Sequence, residues 1–197
     1  HDNFLPWASV MDAPTARRRP TFAAAVVLGS PSAYRRAAMT GRSGDGFLRC
    51  SDGHVRWGVF GAAGVLFVLR ADGLGPLVML QKRSPWAHEG GTWSCAGGAI
   101  DEGETPYQAA LREAAEEVGT IPAEHRLLGE FVFAPADDWR YTTVVLEVDE
   151  MFGASVNFET DAVAWMSVDE VERRPLHAGF AAAWPHLRSI IFGGARR

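Results

Sequence analysis

The sequence is poor in cysteine and lysine and has no long apolar run. Cys50 and Cys95 are the only cysteines in 197 residues, too few for a disulfide framework and without the paired spacing of a zinc site. A membrane-spanning helix needs about 18 consecutive apolar residues, and no segment reaches that length. We therefore expect a cytoplasmic protein with reduced thiols and no membrane contact. Lys82 is the single lysine against eighteen arginines, a bias that we do not connect with function.

Charge is distributed unevenly along the chain. Residues 1–50 carry seven arginines and three acidic residues, whereas residues 51–197 carry twelve basic and twenty-one acidic residues. The larger part thus has a net charge of −9, and its overall field repels polyanions. This balance argues against a nucleic-acid polymer as partner. A nucleotide ligand would need a divalent cation to offset the repulsion locally.

The chain divides into an extension, one domain and a short tail. Residues 1–50 contain four prolines and no sustained strand or helix period, so we interpret them as an N-terminal extension. Residues 51–192 carry the periodic apolar segments and suffice for one domain with its own core. Residues 193–197 form the tail. The sequence leaves the oligomeric state open, including a homodimer.

Apolar periodicity predicts an α+β, or mixed α/β, layout with helices packed on a sheet. The first two predicted strands form a hairpin around the turn at 71–76. The predicted strands are 56–70, with a bend that its glycines permit, 77–83, 93–96, 125–134, 141–149 and 162–168. The predicted helices are 105–119, 169–173 and 179–191.

The helix predicted over 105–119 has clear boundaries. Thr105 is the expected N-cap, Pro106 the first helical residue, and Gln108 closes a capping box. Gly119 lies where a helix-ending glycine belongs. The sequence therefore predicts a well-defined helix directly after the acidic loop GGAIDEGE at 97–104.

This helix is expected to collect three carboxylates on one side. At 100° per residue, an apolar stripe faces the core; it consists of Leu111, Ala114, Ala115 and Val118. Glu113, Glu116 and Glu117 share an arc on the opposite side. Clustered carboxylates repel one another, and a hard cation such as Mg²⁺ relieves that repulsion while attracting a polyphosphate.

Residues 98–120 resemble the Nudix box, a highly specific motif. All seven fixed positions match, namely Gly98, Glu104, Arg112, Glu113, Glu116, Glu117 and Gly119. Three positions depart from the usual pattern: Ala96 replaces a common proline, while Ala114 and Thr120 replace aliphatic residues. These departures concern loop stiffness and packing and leave the metal-facing groups intact. The similarity extends over roughly 53–190, through segments that look like bacterial MutT-type Nudix proteins.

The resemblance implies both a fold and a reaction. The fold is an α/β/α sandwich with a mixed β-sheet between helices. The reaction is Mg²⁺-dependent hydrolysis of a nucleoside triphosphate to the monophosphate and pyrophosphate, with 8-oxo-dGTP or a related purine nucleotide as expected substrate. Two alternatives remain open. One is a pyrophosphatase for ADP-ribose, another nucleotide sugar or a dinucleotide; the other is a non-catalytic nucleotide-binding regulator, although such modules usually lose box acids.

The resemblance also assigns roles to the box residues. The metal ligands, for Mg²⁺ with Mn²⁺ as an alternative, are Glu113, Glu116, Glu117 and the Gly97 carbonyl. Arg112 would orient a box glutamate through a charge-assisted contact, and Glu104 would order water near the metal. Glu113 is our first choice for the general base. Glu159 is a candidate ligand outside the box, although a solvated loop acid is equally compatible with its position.

Candidate substrate-binding residues lie outside the box. The segment that joins two predicted strands offers an aromatic ring that can stack on a base and carboxylates that can accept from purine N–H groups. These residues are Phe133, Asp137, Asp138 and Trp139. Trp139 can instead cover the core. His88 lies in a glycine-rich loop, where it can touch phosphate or form a loop hydrogen bond.

Overall fold

The computed structural model describes residues 41–71, 73, 75–86, 89–153 and 160–193. Nine strands and three helices occur in these ranges. The strands are β1 (Phe47–Arg49), β2 (Val55–Trp57), β3 (Ala62–Ala71), β4 (Gly75–Arg83), β5 (Trp93–Ser94), β6 (Ala96–Ala99), β7 (His125–Ala136), β8 (Trp139–Val148) and β9 (Thr160–Ser167). The helices are α1 (Pro106–Val118), α2 (Val168–Val171) and α3 (Ala178–Gly193).

Seven strands form one mixed sheet in the order β5-β4-β3-β8-β7, with β6 added to β3 and β9 added to β4. β3 and β8 are parallel, and the other pairs are antiparallel. The first residues of β3 pair with β6, whereas its last residues pair with β4. Because β4 and β6 share one edge of β3, the far end of β4 leaves β3 and comes to lie near the β6 glycines.

Helices cover both faces of this sheet. Strand alternation sends Val65 and Phe67 toward a core that includes residues of α1. Leu66 and Val68 point to the opposite face, into the core that contains residues of α2 and α3. This arrangement is the mixed sheet between helices that the resemblance implies. Alternation along a strand buried on both faces supplies apolar side chains to both layers.

The single long strand expected over 56–70 is wrong. Gly58 and Gly61 both have φ of 94°, a left-handed conformation that ends the extended segment there. A Cβ atom at Gly58 would lie 2.2 Å from the Gly61 carbonyl oxygen, so the two glycines permit a tight turn. The residues before the turn form β2, which pairs with β1 in a separate two-stranded sheet.

Residues 41–50 contact the domain. The Gly44 amide donates to Asp101 Oδ1 at 2.8 Å, and the Arg42 amide donates to Glu102 Oε2 at 3.0 Å. Gly44 also accepts from the Val59 amide at 2.9 Å. The described residues belong to a compact unit, Thr40–Arg197, and a first unit, His1–Met39, lies outside them. The boundary at residue 50 stays a prediction, and these contacts favour an earlier one.

None of the helices in the described ranges is both long enough and apolar enough to cross a membrane.

Candidate active site

Helix α1 begins and ends where the sequence predicts. Thr105 is the N-cap and accepts from the Gln108 amide, while the Gln108 side chain accepts from the Thr105 amide in a complete capping box. Gly119 ends the helix with φ of 92°, a value that glycine adopts without strain. These two caps determine where α1 begins and ends.

The buried face of α1 differs from the expected one. Its buried residues are Ala109, Ala110, Ala114, Glu117 and Val118. Leu111 and Ala115 are only half-buried, so the apolar stripe predicted from the sequence is displaced around the helix. Three alanines let α1 approach β3 and β6 closely, and this turns Glu117 inward.

Glu117 is therefore buried, at 7% exposure, rather than solvent-facing. Its Oε2 accepts from the Gly97 amide at 2.9 Å and from Gln81 Nε2 at 2.9 Å. A buried carboxylate requires such donors, because an unpaired charge in the core is costly. Gln81 was missed by the sequence reasoning, although an amide inside the apolar run LVMLQKR at 77–83 is a signal that could have found it.

Arg112 joins the loop before α1 to the helix. Its Nε and Nη2 donate to the two carboxylate oxygens of Glu104, each at 2.9 Å. Its Nη1 donates to Glu113 Oε1 at 2.6 Å, and Nη2 also donates to the Ala99 carbonyl at 2.9 Å. Such charge-assisted, bidentate contacts are strong and directional. The hydrogen bond from Arg112 lowers the pKa of Glu104, so this carboxylate stays ionised.

Glu113 lies directly against the backbone of Gly98. A Cβ atom at Gly98 would be 2.5 Å from the Glu113 carboxylate carbon, closer than real side chains tolerate. Burial raises the pKa of Glu113, although the hydrogen bond from Arg112 acts in the other direction. Glycine at position 98 is thus required by the place that Glu113 occupies.

Two glutamates of α1 thus lie next to the Gly97–Gly98 backbone. Glu113 contacts Gly98, Glu117 accepts from Gly97, and Glu116 is exposed on the same helix. Within the described ranges, no three His, Cys, Asp or Glu side chains are gathered closely enough to hold a metal ion. Glu113 and Glu117 instead meet protein donors. His88 and Glu159 lie outside the described residues.

A cleft of about 270 Å³ lies beside the loop that precedes α1. Glu104 lines one side of it, and Asp137, Asp138 and Trp139 line another. Phe133, although 40% exposed, is not among the cleft residues. The structure therefore brings three of the predicted substrate-binding residues next to the box.

The side chains of two of these three residues already make hydrogen bonds within the protein. Trp139 is 9% exposed, and its indole N–H donates to the Trp57 carbonyl at 3.1 Å. The Asp138 carboxylate accepts from the amide and the hydroxyl of Ser51, and the Ser51 amide lowers its pKa. Trp139 thus mainly covers the core, which was the alternative considered for it, and Asp137 is an exposed acid of the cleft.

Comparison with known proteins identifies the family. The model of the NUDIX domain family matches residues 60–187, a range that includes α1 and its loop. The chain belongs to the Nudix hydrolase family. The match confirms the resemblance predicted from the box and the hydrolase class that it implies.

Relatives of known sequence and structure agree with this assignment. A Mycobacterium tuberculosis protein provisionally named 8-oxo-dGTP diphosphatase 3 is 43% identical over 152 residues, covering 74% of this chain and 70% of its own length. The Nudix hydrolase RenU of M. smegmatis is 36% identical, with a TM-score of 0.70 over 76% of this chain and 96% of its own. A C. elegans Ap4A hydrolase, 16% identical with a TM-score of 0.56 over 67% of this chain and 98% of its own, shares the fold.

Nudix hydrolases generally use a divalent metal ion. The residues of this Nudix domain fit such an ion in two respects. The glutamates of α1 and the backbone of β6 offer only oxygen ligands, which hard cations prefer. The missing side chain at Gly98 leaves open the place where the Glu113 carboxylate lies.

Proposed function

We propose that this Nudix hydrolase cleaves a nucleoside triphosphate to the monophosphate and pyrophosphate with Mg²⁺, and that 8-oxo-dGTP or a related oxidised purine nucleotide is its substrate. The main support for the reaction is the complete box, in which Glu113 and Glu117 both lie at the Gly97–Gly98 backbone. The support for the substrate is the 43% identical relative provisionally named 8-oxo-dGTP diphosphatase 3.

In this proposal the metal ligands are Glu113, Glu116, Glu117 and the Gly97 carbonyl, and Mn²⁺ can replace Mg²⁺. The bound cation supplies charge neutralisation for the phosphates and a more acidic water. Arg112 holds Glu113 and Glu104 in place through the contacts described above. Glu113 acts as the general base, and Glu104 orders water beside it. Glu159 is the proposed ligand from outside the box.

The cleft beside Glu104 is the proposed site for the base. Asp137 is exposed there and is the best placed acid to accept from purine N–H groups. Asp138 and Trp139 would form its wall, because their polar groups are engaged with Ser51 and Trp57. Phe133 and His88 remain candidates for contacts at the edge of the site.

The substrate assignment is tested by comparing kcat/KM for 8-oxo-dGTP, dGTP, ADP-ribose and a dinucleoside polyphosphate at one Mg²⁺ concentration. We expect the highest value for 8-oxo-dGTP, because hydrogen bonds to a purine edge discriminate strongly when a mismatched substrate leaves them unpaired. A higher value for ADP-ribose or the dinucleoside polyphosphate would overturn the substrate proposal and leave the family unchanged.

A further inference from the structure

A chain of side-chain hydrogen bonds connects the box helix to two strands. Thr160 Oγ1 donates to Gln81 Oε1 at 2.9 Å, and Gln81 Nε2 donates to Glu117 Oε2 at 2.9 Å. Thr160, Gln81 and Glu117 are 4%, 3% and 7% exposed. The three residues belong to β9, β4 and α1, so the chain crosses from the sheet to the helix inside the core.

The direction of these hydrogen bonds is determined by chemistry. An ionised carboxylate only accepts, so the Gln81 amide must present its nitrogen to Glu117. Its oxygen then faces Thr160, whose hydroxyl must donate. A glutamine side chain can turn its amide over, but here only one orientation satisfies both neighbours. Glu117 therefore determines which end of the Gln81 amide faces it, and the Thr160 hydroxyl holds that amide in place by donating to its oxygen.

A buried amide at this position is unexpected on packing grounds alone. The preceding β4 residues, Val78, Met79 and Leu80, are apolar and buried. An apolar side chain at position 81 would avoid burying an amide, which is costly when its hydrogen bonds are not made. Gln81 instead provides the N–H group that a carboxylate on the neighbouring helix needs.

Two donors from different strands meet the same carboxylate oxygen. Gln81 reaches Glu117 Oε2 from β4, and the Gly97 amide reaches it from β6. The two strands pair with different parts of β3, so the donors belong to separate segments of the sheet. Together they hold the Glu117 carboxylate in one orientation beside the Gly97–Gly98 backbone.

We propose that Gln81 is a positioning residue of the active site, which holds Glu117 in the orientation that meets a divalent cation, and that Thr160 sets the amide of Gln81 for this task. The inference rests on the proposed function, because it takes Glu117 as a ligand of that cation. Removing a residue that orients a metal ligand typically lowers metal affinity about 10–100-fold.

The test is Gln81→Met, which keeps an unbranched side chain of similar length and removes the donor. MgCl₂ is titrated against the substrate-free protein while the thermal midpoint is followed, since a ligand of the folded state raises that midpoint. We expect the Mg²⁺ concentration at half-maximal rise to increase about tenfold or more. In turnover assays the Mg²⁺ requirement should increase in parallel, with kcat reduced and the nucleotide KM at saturating Mg²⁺ little changed.

Gln108→Met is the matched control. It makes the same substitution in the capping box of α1 and lowers the stability of the same helix, but Gln108 contacts Thr105 and not Glu117. We expect the control to have the Mg²⁺ titration of the wild type at a lower starting midpoint. A Gln81→Met protein with the Mg²⁺ titration and kcat of the wild type would overturn the proposal.

Thr160→Val is a second test of the proposal, which still applies if Gln81→Met fails to fold. It removes the hydroxyl that orients the Gln81 amide, and we expect a smaller increase in the Mg²⁺ requirement, about threefold, in the same direction. A wild-type titration in this variant would contradict the assigned role of Thr160. If the wild-type protein binds Mg²⁺ but hydrolyses no nucleotide, the proposed function fails while the midpoint titrations still decide the role of Gln81.

Discussion

Two parts of the candidate site beside α1, the arginine end and the amide end, hold their carboxylates in different ways. At the arginine end, defined by Glu104, Arg112 and Glu113, one guanidinium group binds two carboxylates. At the amide end, defined by Gln81, Gly97 and Glu117, two neutral N–H groups meet one carboxylate oxygen. The arginine end is formed within one short segment, whereas the amide end joins residues that are far apart in the sequence.

Only one of these two ends can be contained in a sequence motif. The arginine end is fully encoded in the spacing of the box, because its members are at most nine residues apart along the chain. The amide end forms only after β4 and β6 have both paired with β3 in the sheet. Loss of a group that orients a carboxylate should therefore disturb the site at either end, although only the arginine end can be recognised from the motif.

Glu117→Gln should have the largest effect on turnover. The amide oxygen of the new side chain can still accept from Gly97 and Gln81, so we expect the fold to persist. The loss of a ligand charge should lower kcat by at least about a hundredfold, the order that single catalytic groups contribute. The Mg²⁺-induced rise in thermal midpoint should also shrink. Turnover within a factor of about two of the wild type would remove Glu117 from the site.

Arg112→Lys should have the next largest effect. An ammonium group cannot reproduce the bidentate contact with Glu104 together with the contact to Glu113. We expect kcat to fall about 10–100-fold, because two box carboxylates lose their orientation. Arg126→Lys is the control: Arg126 is exposed and pairs with Glu147, where a surface ion pair contributes about 1 kcal/mol or less. Equal kinetic losses in both variants would contradict the role given to Arg112.

Removal of residues 1–50 should have a moderate effect that removal of residues 1–40 does not have. The longer deletion removes β1 and the contacts of Arg42 and Gly44 with the loop before α1. We expect a lower thermal midpoint and a kcat/KM reduced several-fold, since two backbone hydrogen bonds of about 1 kcal/mol each are lost at that loop. Equal stability and activity of the two shortened proteins would make residues 41–50 dispensable.

The smallest expected effect is the low reactivity of Cys95, which is buried next to the amide end. Burial raises the pKa of the Cys95 thiol to about 12, and a Cβ atom at Gly64 would lie 3.0 Å from its Sγ. Since the thiolate is the reactive form, iodoacetamide at pH 8 should leave Cys95 unmodified in the native protein and alkylate it after unfolding. Mass spectrometry of native and denatured samples measures this. Rapid native alkylation would show that solvent enters the core behind Gly97.

Local signals predicted the outline of the fold and the arginine end. The capping box at Thr105 and Gln108 and the helix-ending Gly119 were readable because they act within a few residues. The strand predicted over 56–70 failed because a turn at Gly58 and Gly61 interrupts an apolar run, and the run alone does not reveal it.

The sequence alone could not predict which polar side chains are buried. Glu117 was expected on the solvent side because helix periodicity locates the stripes on a helix but not the stripe that the sheet covers. Trp139 was a candidate either for stacking on a base or for covering the core, and it lies under β1 and β2 with its N–H bound to Trp57. Both placements depend on tertiary contacts that local patterns do not contain.

The most direct test of the central claim is product analysis with 8-oxo-dGTP. Purified protein is incubated with the nucleotide with and without Mg²⁺, and Glu117→Gln serves as the comparison. We expect one monophosphate and one pyrophosphate per substrate molecule, only when the cation is present and only with the intact carboxylate. Release of orthophosphate, or equal turnover by wild type and Glu117→Gln, would contradict it.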